Sequence, residues 1–126
     1  MELKEEVEFL KKNGYLEIDV VETISFKVNK DINNKLDELA KIKQTTKSML
    51  IRASLDHFVV SATELNRDTI RELSEKALEK PLSVVSLRLY LSDVLKIDKK
   101  AKELNLDRSD MLRYAVYKLL EKNKMI

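Results

Sequence analysis

Two short stretches of the chain alternate between apolar and polar side chains. In the first, Ile24, Phe26 and Val28 interleave with Thr23, Ser25 and Lys27; in the second, Val85, Leu87 and Leu89 interleave with Val84, Ser86 and Arg88. A period of two with β-branched and aromatic residues predicts half-buried strands over 23–28 and 84–89. After each stretch the period lengthens. Ile32, Leu36, Leu39 and Ala40 fall at i, i+4, i+7 and i+8, and Val94, Ile97, Ala101 and Leu104 at i, i+3, i+7 and i+10, the apolar stripe of an amphipathic helix. Asn29 or Asp31 is expected to cap the first of these helices, and Ser92 or Asp93 the second. A further helix follows a short turn in each case, with Thr46 and Asp107 as N-caps. Its apolar residues are Leu50, Ile51, Leu55, Phe58 and Val59 in the first copy, and Met111, Leu112, Val116, Leu119 and Leu120 in the second.

The two patterns are copies of one another. At an offset of 61 residues, Ser25, Lys35, Asp37, Ala40, Lys41, Ser48 and Arg52 fall on Ser86, Lys96, Asp98, Ala101, Lys102, Ser109 and Arg113. Residue types agree more widely: Lys27 meets Arg88, Lys47 meets Arg108, and Leu50 and Ile51 meet Met111 and Leu112. The chain divides into an acidic N-terminal arm (1–22), a first repeat (23–62), an acidic linker (63–82) and a second repeat (83–126). The arm predicts a short helix over 2–12 ended by Gly14, then an alternating segment at 15–20 that adds or extends a strand. Ile70, Leu73 and Ala77 predict a helix over 67–79, and Lys80-Pro81 ends the linker. A six-residue strand needs a partner. Two copies in one chain supply it at high effective concentration, so pairing within the chain is expected.

Composition narrows the function. At 126 residues the chain is of one-domain size, and 44% hydrophobic residues suffice for a packed core. One Gly and one Pro exclude collagen-like and multi-turn all-β chains, and the lack of Cys excludes disulfides and zinc-thiolate sites. No apolar run approaches the roughly 18–20 residues of a membrane span. The N-terminus is acidic with no apolar stretch of signal-peptide type, so an intracellular protein of the cytoplasm or nucleoid is expected. The net charge is only +2, with 24 Lys+Arg against 22 Asp+Glu. It is unevenly spread: −4 over 1–22, +3 over 23–60, −2 over 61–79 and +5 over 80–126. Fields act within a Debye length of about 8–10 Å, so each basic block can serve an anionic partner.

Strand, helix, turn and helix, followed by a short signature, resemble the ribbon-helix-helix DNA-binding proteins of the MetJ/Arc/CopG type. The signature reads Thr46-Lys47-Ser48-Met49-Leu50-Ile51-Arg52 and Asp107-Arg108-Ser109-Asp110-Met111-Leu112-Arg113. From the last strand residue to the signature Ser is 20 residues in both copies, Val28 to Ser48 and Leu89 to Ser109. The tandem arrangement is similar to small transcription regulators of archaea and archaeal viruses. The fold this resemblance implies is mainly α, with a two-stranded antiparallel β-ribbon shared by two repeats in a pseudo-dimer. It implies that the ribbon enters the major groove of double-stranded DNA, with Thr23, Ser25, Lys27, Val84, Ser86 and Arg88 facing the bases. Lys27 and Arg88 are suited to guanine N7 and O6. The resemblance also assigns Thr46, Lys47, Ser48, Arg108 and Ser109, at the second-helix starts, to phosphates. The unequal half-ribbons favour an imperfect palindrome or repeated half-sites, with chains self-associating on DNA. The family's usual Gly between the helices is replaced by Gln44 and Asn105. Asn tolerates a left-handed conformation better than Gln, so the first turn is expected to differ. Asp107 and Asp110 suit the helix dipole but repel a phosphate there.

Arg52 and Arg113 are expected to make structural ion pairs, and Tyr90, Tyr114 and Tyr117 to pack. His57 is the only His, its repeat mate is Lys118, and exposure is expected. No nucleophile constellation, phosphate loop or metal cluster stands in the sequence, so no catalysis, cofactor or metal is expected. Two alternatives to a transcription regulator stay open. One is an antitoxin that represses its own operon, disfavoured by the five residues 122–126 that follow the last helix. The other is an interaction or oligomerisation module that binds no DNA.

Overall fold

The computed structural model describes residues 4, 5 and 20–126. The expected arm helix and the alternating segment after it lie outside the described residues, apart from Lys4 and Glu5, which are helical, and Val20. Strand β1 (Val21–Asn29) leads into α1 (Lys30–Ile42) and α2 (Lys47–Leu55), and a π-helical turn (Asp56–Val60) continues α2. Helix α3 (Arg67–Lys76) precedes β2 (Leu82–Tyr90), α4 (Leu91–Glu103) and α5 (Arg108–Lys122). The two strands pair antiparallel within the chain, from Val21 opposite Tyr90 to Asn29 opposite Leu82. Ser25 stands opposite Ser86 at the midpoint, and their hydroxyls are 2.8 Å apart. That is the one pair in the register whose members are also 61 apart in sequence.

The alternation works as expected. Ile24, Phe26, Val28, Val85, Leu87 and Leu89 are buried, and the polar residues between them are exposed. The buried ribbon face lies on one hydrophobic cluster that draws on both halves and on α3, through Leu36, Ile51, Ile70, Ile97, Met111 and Leu112. Each such side chain stabilises the fold by roughly 1.5–3 kcal/mol on leaving water. Both strands are nine residues long, three more than the alternation marks.

Each strand passes into its helix without a loop. The Asn29 side chain caps α1, accepting from the N–H groups of Asp31 (2.8 Å) and Ile32 (3.3 Å). At α4 the N-cap is Tyr90, with no side-chain capping bond. Ser92 and Asp93 fall inside the first turn instead, because β2 runs to Tyr90 and α4 starts at Leu91. The first N–H of each helix is satisfied by the far strand's approach: Lys30 N donates to Pro81 O (2.8 Å) and Leu91 N to Val20 O (2.6 Å). These two bonds are 61 residues apart at both ends.

The turn after α1 matches the one after α4, against the expectation that they differ. Gln44 (φ 54°) and Asn105 (φ 55°) are both left-handed. Thr45 N donates to Ala40 O (2.9 Å) and Leu106 N to Ala101 O (2.8 Å), the six-to-one bond of a Schellman cap. Those bonds satisfy carbonyls that the helix end leaves free, and this outweighs the Cβ strain at Gln44.

The linker is core, not a solvated strut. Ile70, Leu73, Ser74 and Ala77 are buried, α3 packs along α5, and Arg67 Nε donates to Leu104 O (2.9 Å). No helix among the described residues is long and apolar enough to cross a membrane.

Candidate nucleic-acid interface

Strand periodicity sends Thr23, Ser25, Lys27, Val84, Ser86 and Arg88 to the outer face of the ribbon, and all six are exposed. The register sets Thr23 opposite Arg88 and Lys27 opposite Val84. The two cations therefore stand diagonally about the Ser25–Ser86 centre. Continuing the alternation outward adds Val21, Leu82 and Tyr90 to this face, all exposed. Tyr90 is thus a surface residue and not the packing residue expected. Tyr114 and Tyr117 do pack against the core. Stepping two residues beyond each six-residue window would have found the added positions.

The helix starts hold the second group. Thr46 Oγ1 accepts from Met49 N (3.1 Å). Asp107 and Asp110 form a reciprocal capping box, with Asp107 Oδ1 accepting from Asp110 N (2.9 Å) and Asp110 Oδ2 from Asp107 N (3.2 Å). Ser48 and Ser109 are half-buried beside these caps. The two cations here are engaged within the chain. Lys47 Nζ donates to Asn33 Oδ1 (2.8 Å) and pairs with Asp37 (3.3 Å). Arg108 grips Asp98 through Nε (2.8 Å) and Nη2 (2.6 Å), and that bidentate bond raises the pKa of its guanidinium further. Asp37 and Asp98 are themselves repeat mates, each ten residues before its cation. That spacing was the available sign of a helix–helix staple. Both pairs are partly exposed, which limits each to about 0.2–1 kcal/mol.

The signature arginines differ. Arg113 is 7% exposed, and each of its three guanidinium nitrogens donates a hydrogen bond. Its Nε donates to Ser74 Oγ (2.8 Å), Nη2 to Asp110 Oδ1 (3.3 Å) and Nη1 to Lys27 O (3.4 Å). Ser74 also donates to Asp110 Oδ1 (2.7 Å). Burial acts to raise the Asp110 pKa, but the bonds from Ser74 and the Asp107 backbone and the Arg113 charge together hold it below the usual carboxylate value. Arg52 makes no ion pair among the described residues, contrary to expectation. Its Nη2 meets only Met49 Sδ (3.5 Å), and its buried Nε has no partner. Arg52 lines an open cleft of about 360 Å³ with Thr23, Ser48, Ser86, Leu87 and Arg88. A separate depression of about 490 Å³, between α3 and the start of α5, is lined by Arg71, Glu75, Leu78, Asn105, Leu106, Asp107 and Asp110.

His57 is exposed, edge-on to Phe58. No group of three or more His, Cys, Asp or Glu side chains among the described residues is placed to hold a metal ion. Comparison of the chain with protein-family models, with curated proteins and with solved structures finds no match.

Proposed function

We propose that this chain is a sequence-specific transcription regulator of double-stranded DNA, built as two ribbon-helix-helix repeats that act as a pseudo-dimer. The observation that carries the reading is the ribbon: an antiparallel pair centred on repeat-equivalent serines, with Lys27 and Arg88 exposed on its outer face. A two-stranded ribbon fits the major groove, where all four base pairs present different donors and acceptors. Arg88 suits a bidentate contact to guanine, Lys27 a single one, and Val84 a thymine methyl. Ser25 and Ser86 donate or accept. Because the half-ribbons are unequal, the operator is an imperfect palindrome or a pair of repeated half-sites.

Phosphates are positioned at the starts of α2 and α5 by backbone N–H groups and the Ser48 and Ser109 hydroxyls. Thr46 shapes the first of these starts by capping it. Lys47 and Arg108 join only by sharing or exchanging their aspartates, so they contribute less than free cations. With about six phosphates neutralised, affinity falls roughly a thousandfold between about 50 and 200 mM salt. Gel shift against the regulatory DNA beside the protein's own coding region tests the reading. The expected result is salt-sensitive binding that Lys27→Ala plus Arg88→Ala abolishes at unchanged stability. Binding that survives the double substitution overturns ribbon readout.

A protein-interaction module is the second reading, favoured by the exposed Val21, Leu82, Val84 and Tyr90 on the same face. Tight capture of a protein partner by a chain that ignores DNA would establish it.

A further inference from the structure

Met49 and Asp110 are repeat mates, and each stands three residues before its arginine. In the second repeat the Asp110 carboxylate lies against Arg113 at 3.3 Å. In the first, a thioether occupies the matching place against Arg52 at 3.5 Å. One copy of the site thus carries its counter-anion and the other lacks it. The Arg52 Nε is out of water with no acceptor, and a buried donor without an acceptor is costly. The cleft it lines is shared with Thr23, Ser86 and Arg88 of the ribbon's outer face. Arg88 therefore borders the same opening, and Thr23, Ser48 and Ser86 add hydroxyl-bearing residues to its lining. An anion with several acceptor oxygens answers that set best.

We propose that Arg52 forms a phosphate subsite for the DNA backbone, and that Asp110 closes the equivalent site of the second repeat. The inference rests on the DNA-binding reading and deepens it. A phosphodiester reaches the cleft because the cleft opens beside the residues that meet the groove. Arg52 becomes an affinity-determining contact, Arg113 stays a core ion pair, and the two half-sites are gripped unequally. The operator half under Thr23, Arg88 and Arg52 is the stronger one.

Two substitutions test it in the full chain. Arg52→Gln removes the cation. Met49→Asp supplies the missing carboxylate at a side chain that is 53% exposed, in the third position of α2, where an acidic residue is favoured by the helix dipole. That variant is expected to fold at least as well as the parent. The readout is fluorescence anisotropy with a mixed-sequence DNA duplex and with the duplex from beside the coding region, across a salt series. Each substitution is expected to weaken binding by roughly tenfold at low salt. Each also lowers the slope of log affinity against log salt by about one. Met49→Asp added to Arg52→Gln should cost little more, because both remove the same contact. Additive losses would show that Met49→Asp acts by general repulsion, and a wild-type slope in Arg52→Gln overturns the subsite. Inorganic phosphate that binds as tightly as the duplex overturns DNA as the source of the anion. A parent protein that binds neither duplex overturns the DNA-binding reading itself, and the subsite with it.

Discussion

Arg52 and Arg113 occupy the same step of the repeat in opposite surroundings. Arg113 is buried among Ser74, Asp110 and the Lys27 carbonyl; Arg52 faces an open cleft with a thioether for company. The residues that create the difference are few. Met49 stands where Asp110 stands, and α3, which packs along α5, brings Ser74 to one arginine only. A buried ion pair is weak proof of stability, yet removing one partner strands the other charge. Arg113 is thus held in the core, while Arg52 is left at the cleft without a counter-charge among the described residues.

The largest expected effect breaks that contrast directly. Arg113→Met leaves Asp110 part-buried and unpaired and should cost on the order of 3 kcal/mol, whereas Arg52→Met should cost under about 1 kcal/mol. Urea denaturation of the two variants decides it, and equal losses would mean that Arg52 too is structural. Acid sharpens the same contrast. Because the folded-state pKa of Asp110 lies below its unfolded value, its charge stabilises the protein above that unfolded value, near pH 4. The contribution is lost as pH falls through the folded value. Asp110→Asn should therefore be less stable at neutral pH and lose less on acidification, as measured by denaturation at a series of pH values.

The turns offer a smaller effect. Gln44 carries a left-handed cost that Asn105 bears more easily. Gln44→Gly is expected to stabilise by up to about 1 kcal/mol, and Asn105→Gly by less. A thermal melt with no gain at Gln44 would show that its Cβ is already accommodated. The smallest effect concerns the helix staples. Arg108→Met should cost somewhat more than Lys47→Met, both within about 1 kcal/mol, because only the arginine grips its aspartate at two points.

Much of the fold was legible because local patterns agreed with one another. Alternation placed the buried and exposed ribbon residues, and Asn29, Thr46 and Asp107 cap the helices they were expected to cap. The centre of the ribbon, Ser25 opposite Ser86, joins two residues that the offset of 61 already matched. The failures have a common cause in contacts made across distance. The ribbon ends run past the obvious alternation because Val21 and Tyr90 are held by each other's strand. The intrachain partners of Lys47 and Arg108, Asp37 and Asp98, lie on a neighbouring helix, ten residues back. The candidate site was legible as to its ribbon face, and Met49 standing where Asp110 stands was the sequence sign at Arg52. The Ser74 bond to Arg113, spanning 39 residues, left no such sign.

The strand pairing also carries a consequence for synthesis. Every pair in the ribbon joins residues 53 to 69 positions apart. Strand β1 therefore leaves the ribosome well before its partner exists. At about 5–20 residues per second the delay is roughly 3–14 s, long compared with the microseconds in which a local hairpin closes. Through that interval Ile24, Phe26 and Val28 have no sheet to join. In a polysome, several such half-made chains sit side by side, and the nearest complete β2 belongs to a neighbour. Slower translation of the second half lengthens that interval.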